Sequence, residues 1–120
     1  SVFYDRDICR HRFAGRSFDS LARKIVSQLP KDVWISFDID GLDRRFCPGT
    51  GTPVPGGLDF AQACRIVELV CRSGRCIAGF DLCEVAPSPG SEWDANVGAR
   101  LLYKLAGWAL ASQGFARMLR

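Results

Sequence analysis

One segment of the sequence decides the fold, Val33 to Leu58, which reads VWISFDIDGLDRRFCPGTGTPVPGGL. It begins with an apolar run rich in β-branched and aromatic residues, which predicts a buried β-strand. Asp38 and Asp40 follow this run. Because side chains alternate between the faces of a strand, their carboxylates are predicted to point the same way, about 6.6 Å apart. Such like charges repel, and a hard divalent cation with oxygen ligands removes the repulsion, so both are candidate metal ligands; the alternative is a simple turn.

The loop after the carboxylates is rich in proline and glycine, which occupy seven of the ten positions from Pro48 to Gly57. Proline fixes φ, whereas glycine permits positive φ and close backbone approach. Thr50 and Thr52 can form local hydrogen bonds. The composition therefore predicts a shaped wall beside the carboxylates rather than a flexible linker.

Three motifs together carry a family resemblance: SFDIDGLD at 36–43, PGTGTPVPGGL at 48–58 and DLCEVAPS at 81–88. This combination resembles the C-terminal half of the ureohydrolases, the arginases, agmatinases and formimidoylglutamases, and the resemblance extends from about Val33 to Trp108. It implies a hydrolase that cleaves the C–N bond of a small guanidino or formimino compound.

The resemblance also implies roles for single residues. Asp38 and Asp40 match aspartates that hold a binuclear Mn²⁺ centre, and such ions lower the pKa of bound water to give a nucleophile at neutral pH. Glu84 is the candidate catalytic and substrate-binding residue, because a carboxylate can pair with a planar cationic group through two hydrogen bonds. Thr52 matches a substrate-pocket residue. Asp43 and Asp81 are predicted to orient ligands or to hold the loop.

The rest of the chain predicts alternating helices and strands. Ser17 and Asp59 are candidate N-caps. The predicted elements are a helix over 18–29, a helix from Phe60 to about Ser73, a strand over Cys76–Leu82 and a helix from about Ser91 to Gln113. Ser1 to Tyr4 could form a strand, and Asp5 to Arg16 is predicted to be a loop. Alternation predicts an α/β fold with three α/β/α layers around a parallel sheet, a partial arginase-like fold, with ligands at the carboxyl ends of the strands.

Composition narrows the function further. The chain has 120 residues and a formal net charge of +3, with no motif for nucleic-acid binding and no apolar run that could span a bilayer. Its six cysteines lack zinc-site spacing, so most are predicted to be core residues in a reducing compartment, and a cytoplasmic location is expected. His11, between two arginines, is predicted to lie at the surface rather than to bind metal.

Arg44 stands where the family usually has proline, a departure of little consequence because a surface turn can form without it. Trp93, Asp94 and Asn96 extend the resemblance and are predicted to pack the last helix over the site. One other departure affects activity. The family's upstream metal-binding histidines and aspartates have no counterpart. We therefore expect residues 1–120 to be the C-terminal part of one domain, completed by a complementary N-terminal half or by homo-oligomerisation.

Two alternatives remain open from the sequence. The first is a non-catalytic remnant that serves as an interaction module. The second is a haloacid dehalogenase-type phosphatase with Asp38 as its nucleophile, although Leu42 occupies a position where that class has Thr or Val.

Overall fold

The computed structural model describes residues 1–87 and 89–115. The elements in chain order are helix α1 (Asp5–Phe13), helix α2 (Phe18–Ser27), strand β1 (Asp32–Asp38), a 3₁₀ turn (Ile39–Gly41), helix α3 (Phe60–Arg72), strand β2 (Cys76–Cys83) and helix α4 (Trp93–Ser112). The predicted tail beyond Phe115 lies outside the described residues.

Strands β1 and β2 pair in parallel, with Ser36 opposite Asp81 and Asp38 opposite Cys83. The register shifts once, next to Val33 and Trp34. The crossover through α3 brings the carboxyl ends of both strands to the same edge of the sheet, as a parallel β–α–β unit requires. The predicted α/β class with a parallel sheet is confirmed.

Helices α2, α3 and α4 pack together on one face of the sheet. Their common core includes Ala22, Val26, Val70 and Leu105, which surround Ile77 of β2. On the opposite face Trp34 is 63% exposed. The described residues therefore form two layers of the predicted three, which fits a partial arginase-like fold.

A second apolar cluster lies under the proline- and glycine-rich loop. Its fully buried members include Ile39, Leu42 and Leu101. Leu42 N–H donates to the Ile39 carbonyl oxygen. Leu58 N–H donates to the Gly41 carbonyl oxygen, and Asp43 N–H donates to the Leu58 carbonyl oxygen. These contacts join the two ends of the loop, so that it forms a closed lobe over α3 and α4.

The predicted caps are confirmed. Ser17 Oγ accepts from Ser20 N–H at 3.2 Å. Asp59 forms a capping box with Gln62, whose Oε1 accepts from Asp59 N–H at 3.0 Å. Polar side chains thus fix the starts of α2 and α3, and apolar periodicity sets the faces that these helices bury.

The loop predicted for Asp5 to Arg16 is wrong, because α1 occupies most of it, and no strand precedes it at Ser1 to Tyr4. α1 buries none of its residues, so apolar periodicity gave no signal. Its first turn is acidic, with Asp5 and Asp7, and its last turn is basic. This distribution complements the helix dipole and stabilises a helix that is only partly covered by its contact with α2.

No helix in the described part of the chain combines the length and the apolar character needed to cross a membrane. Of the cysteines, Cys47 and Cys71 are buried, whereas Cys83 is exposed at the carboxyl edge of the sheet. The predicted core role therefore holds for only some of them.

Candidate metal centre

Asp38 and Asp40 lie at the carboxyl end of β1, but not as two residues of one strand. Asp38 is the last residue of β1, with φ −96° and ψ 123°, and Asp40 belongs to the 3₁₀ turn that follows. The predicted strand alternation is therefore wrong for Asp40. Even so, the two carboxyl groups are close enough for Asp40 to raise the pKa of Asp38.

The pKa of Asp38 is raised above its ordinary value. Desolvation in the site is the largest cause, and the negative charge of Asp40 is the next. Hydrogen bonding with the Asp40 side chain raises the pKa of Asp38 further, and Glu84 adds a third negative charge. The carboxyl edge of the sheet therefore concentrates negative charge that disfavours ionisation of Asp38.

Glu84 follows β2 directly and has φ +62°, the only positive φ of a non-glycine residue among the described residues. This left-handed conformation is rare for a residue with a side chain and typically costs about 1–3 kcal/mol. A Cβ atom on Gly51 would lie 3.9 Å from Glu84 Oε2. The strained backbone thus turns the carboxylate towards the glycine-rich loop, a feature that sequence patterns gave no means of finding.

Thr52 donates a short hydrogen bond from Oγ1 to Asp40 Oδ2. This contact joins the glycine-rich loop to the 3₁₀ turn and fixes the orientation of the Asp40 carboxylate. The structure thus places Thr52 beside a candidate metal ligand, and its substrate-pocket role stays a prediction.

Asp43 holds the loop together. Its Oδ1 accepts from Arg45 N–H at 3.0 Å and from Arg45 Nε at 2.8 Å, and its Oδ2 accepts from Gly56 N–H at 3.1 Å. These donors lower the pKa of Asp43 to about 2. Gly57 completes the closure, since a Cβ there would lie 2.4 Å from the Leu42 carbonyl carbon.

Asp81 is bound on the exposed face of the sheet. Its carboxylate accepts from Trp34 Nε1 and from Ser36 Oγ, both at 2.7 Å. These two donors, followed by the Cys83 thiol, lower its pKa. Asp81 therefore cross-links β1 and β2 two residue pairs before the pair of Asp38 with Cys83 that ends the sheet.

Two other side chains named from the sequence lie away from this cluster. His11 Nε2 is 2.8 Å from Ser20 Oγ and 3.1 Å from the Ser17 carbonyl oxygen, so it connects α1 to the start of α2. Trp93 begins α4, and its Nε1 donates to the Arg45 carbonyl oxygen at 3.0 Å. This bond ties the start of α4 to the residues that lead into the proline- and glycine-rich loop, and the packing of α4 over the site itself stays a prediction.

Asp94 is a part of the site whose contact the sequence did not reveal. It is only 1% exposed, and its Oδ2 accepts from Gly49 N–H at 2.8 Å. The motif placed Asp94 on the last helix, but a contact 45 residues away along the chain leaves no local sequence signal.

The donor set at the carboxyl edge fits a hard cation. Among the described residues, no ion pair neutralises Asp38, Asp40 or Glu84. Carboxylate oxygens are the ligands that Mn²⁺ and Mg²⁺ prefer. Within 1–87 and 89–115, however, no three His, Cys, Asp or Glu side chains are arranged to hold a metal ion, so these residues fit such a cation as part of a ligand set.

Comparisons with known proteins agree with these motifs. The family model described as "Arginase family" matches residues 3–107. Arginase-1 of Homo sapiens is 34% identical over 103 residues, which cover 83% of this chain and 32% of that protein. The N(1)-aminopropylagmatine ureohydrolase of Thermococcus kodakarensis is 37% identical over 110 residues, or 92% of this chain and 37% of that protein.

Solved structures show the same fold. Proclavaminate amidino hydrolase from Streptomyces clavuligerus superposes with a TM-score of 0.77 at 25% identity, over 92% of this chain and 35% of that one. A hypothetical agmatinase from Burkholderia thailandensis superposes with a TM-score of 0.70 at 34% identity, over 92% and 34%. The chain spans about a third of the length of the curated relatives it matches. It belongs to the arginase family.

Proposed function

We propose that this chain supplies part of the active site of a manganese-dependent hydrolase that cleaves the C–N bond of a guanidino or formimino compound. The observation that carries the proposal is the convergence of Asp38, Asp40 and Glu84 at one edge of the sheet, where Asp40 and Glu84 both raise the pKa of Asp38. Relatives of the chain are named arginase, agmatinase and aminopropylagmatine ureohydrolase, which supports a guanidino substrate.

Asp38 and Asp40 are the residues that would hold Mn²⁺. Both offer oxygen donors, and a cation beside them would relieve the repulsion that now raises the pKa of Asp38. The chemistry that Mn²⁺ supplies when bound is the activation of water at neutral pH. Thr52 contributes by keeping one Asp40 oxygen occupied with a hydrogen bond, which leaves the other oxygen of that carboxylate for a ligand.

Glu84 is proposed to bind and orient the substrate. A guanidinium group is planar and cationic, so a carboxylate can pair with it through two parallel hydrogen bonds. The positive φ of Glu84 commits the backbone to one conformation, which suits a residue that must hold a substrate in a fixed orientation. Gly51 leaves the space in front of Glu84 Oε2 free of a side chain.

The remaining metal ligands are proposed to come from a complementary N-terminal segment or from a second copy of the chain. The sheet of the described residues has two strands, so each strand presents one unpaired edge to which a further strand can add. We propose a reducing, cytoplasmic location, as expected from the spacing of the cysteines in the sequence.

The sequence left two alternatives open, a phosphatase and a non-catalytic interaction module. Membership of the arginase family replaces the phosphatase hypothesis. The non-catalytic interaction module is the outcome to expect if neither Mn²⁺ nor a guanidino compound binds.

The test is titration calorimetry of the chain with Mn²⁺, comparing the wild type with Asp38→Asn. Removing a ligating carboxylate is expected to weaken the Mn²⁺ affinity by about tenfold or more. Asp32→Asn is the matched control, because Asp32 lies at the other end of the same strand, and it should leave the affinity unchanged. Measurable Mn²⁺ binding that is equally tight in all three proteins would contradict the proposed ligation.

A further inference from the structure

The first two turns of α4 touch both loops that carry the proposed substrate- and metal-contacting side chains. Asp94 accepts from Gly49 N–H at 2.8 Å, three residues before Thr52. One turn further along, Gly98 packs against Val85, the neighbour of Glu84: a Cβ on Gly98 would lie 3.0 Å from Val85 Cγ1. Residues at i and i+4 share one face of a helix, so a single rigid face supports both loops.

Asp94 is an unusual residue for this position if only packing is considered. Its side chain is 1% exposed, and Oδ1 has no hydrogen-bond partner among the described residues. An apolar residue of similar volume would avoid the desolvation of a carboxylate. The bond that Asp94 does make goes to the backbone of the glycine-rich loop, where glycine supplies little conformational restraint of its own.

The loop is held at its buried side and presents its other side to the site. Thr50, next to Gly49, is 5% exposed. Gly51 lies in front of Glu84, and Thr52 donates to Asp40. A displacement at Gly49 would therefore be transmitted over three residues to the two carboxylates that we propose for metal and substrate.

We propose that Asp94 is a positioning residue that, with Gly98 one turn away, fixes the loop 47–52 relative to Glu84. This proposal rests on the proposed function, because it assumes that Thr52, Asp40 and Glu84 belong to the active site. Asp94 itself contacts neither the substrate nor the metal, and acts through the backbone of Gly49.

The experiment compares Asp94→Leu, which removes the acceptor, with Asp94→Asn, which keeps an acceptor but loses the charge. Ile77→Val is the structural control, since Ile77 is fully buried and contributes to the other apolar cluster. Amide hydrogen exchange is measured for residues 49–52 and for the Leu105 amide, and Mn²⁺ affinity is measured by calorimetry on the same proteins.

In Asp94→Leu, exchange at 49–52 is expected to accelerate by about tenfold or more relative to Leu105, as for the loss of a hydrogen bond to a charged group. In Asp94→Asn the ratio should rise by only about threefold, because the neutral acceptor is weaker. Mn²⁺ affinity should fall in the same order. Ile77→Val lowers the stability of the whole fold, so it should not accelerate residues 49–52 more than Leu105.

The proposal is overturned if the Asp94 variants accelerate residues 49–52 and Leu105 equally, or if Asp94→Asn is as impaired as Asp94→Leu. If Asp94→Leu does not fold, Asp94→Asn decides alone by whether its acceleration is confined to 49–52. If the wild-type chain binds no Mn²⁺ on its own, the ligands of the complementary segment or second copy are required for binding, and the exchange ratio alone decides the role of Asp94.

Discussion

The two faces of the β1–β2 sheet are completed in different ways. On one face Val33 and Ile77 are buried, at 7% and 0% exposure, beneath the core of α2, α3 and α4. On the other face Trp34 is 63% exposed, and its ring lies so close over the sheet that a Cβ on Gly79 would be 2.2 Å from the ring carbon Cζ3. The first face is held by apolar packing and the second by side-chain hydrogen bonds.

The helix-covered face and the exposed face of the sheet are expected to serve different purposes. Every second residue of β1 lies on the exposed face, including Trp34, Ser36 and Asp38. The Asp81 carboxylate accepts hydrogen bonds from Trp34 and Ser36. The exposed face therefore leads directly to the carboxyl edge where Asp38 lies. The helix-covered face is expected to determine whether the chain folds, whereas the exposed face sets the surroundings of the proposed site.

The largest test of this contrast is Ile77→Ala on the helix-covered face. Ile77 is fully buried, so its truncation removes apolar contacts and leaves a cavity. We expect the free energy of unfolding to fall by about 2–5 kcal/mol, measured by urea denaturation with circular dichroism. A loss below 1 kcal/mol, within the range that surface substitutions reach, would mean that the helices do not pack on this face as described.

The second test is Trp34→Phe on the exposed face. It removes the indole N–H, which is the largest cause of the lowered pKa of Asp81, and the pKa of Asp81 should rise towards its ordinary value. Because the folded pKa lies below the unfolded one, Asp81 stabilises the fold above the unfolded pKa, and that contribution is lost as pH falls through the folded pKa. The variant should therefore lose stability at neutral pH, less than Ile77→Ala does, and match the wild type in strong acid.

The measurement is a carboxyl-carbon NMR titration of Asp81, with Trp93→Phe as the matched control. Trp93 also donates through its indole nitrogen, but to the Arg45 carbonyl oxygen, so this control should leave the pKa of Asp81 unchanged. A rise in both variants would show that the effect is not specific to the exposed face.

Features that depend on local pattern could be predicted from the sequence. Apolar periodicity located α2, α3 and α4, and the short polar side chains of Ser17 and Asp59 marked the starts of two helices. The parallel sheet followed from the alternation of strands with helices. Asp38 and Glu84 were placed at the carboxyl ends of the strands because motifs and strand ends coincided.

Features that depend on distant contacts or on charge could not be predicted in this way. Helix α1 has no buried residue, so apolar periodicity could not indicate a helix there. The 3₁₀ turn at Asp40 and the positive φ of Glu84 are backbone conformations that apolar periodicity and helix caps do not mark. The bond of Asp94 to Gly49 joins segments that only the folded chain brings together.

The smallest expected effect is a change of pKa with salt concentration. Asp43 and Asp81 both have lowered pKa values, but for different reasons. Neutral donors, Trp34 and Ser36, are the main cause for Asp81, whereas Asp43 owes part of its pKa of about 2 to the Arg45 side chain. Screening by salt weakens the attraction between exposed charges, with a Debye length of about 10 Å at 0.1 M and about 3 Å at 1 M. Raising the salt concentration to 1 M should therefore raise the pKa of Asp43 and leave that of Asp81 nearly unchanged.

Arg45→Gln sharpens this last test. The variant removes the cation but keeps the backbone N–H groups of residue 45 and Gly56 on Asp43, so the pKa of Asp43 should rise, remain below 3.8, and lose its dependence on salt. Since the folded pKa of Asp43 lies below the unfolded one, its stabilising contribution is present above about pH 4 and is lost as pH falls through about 2. An equal response of Asp43 and Asp81 to salt would mean that the loop around Asp43 is held by hydrogen bonds alone, as the exposed face of the sheet is.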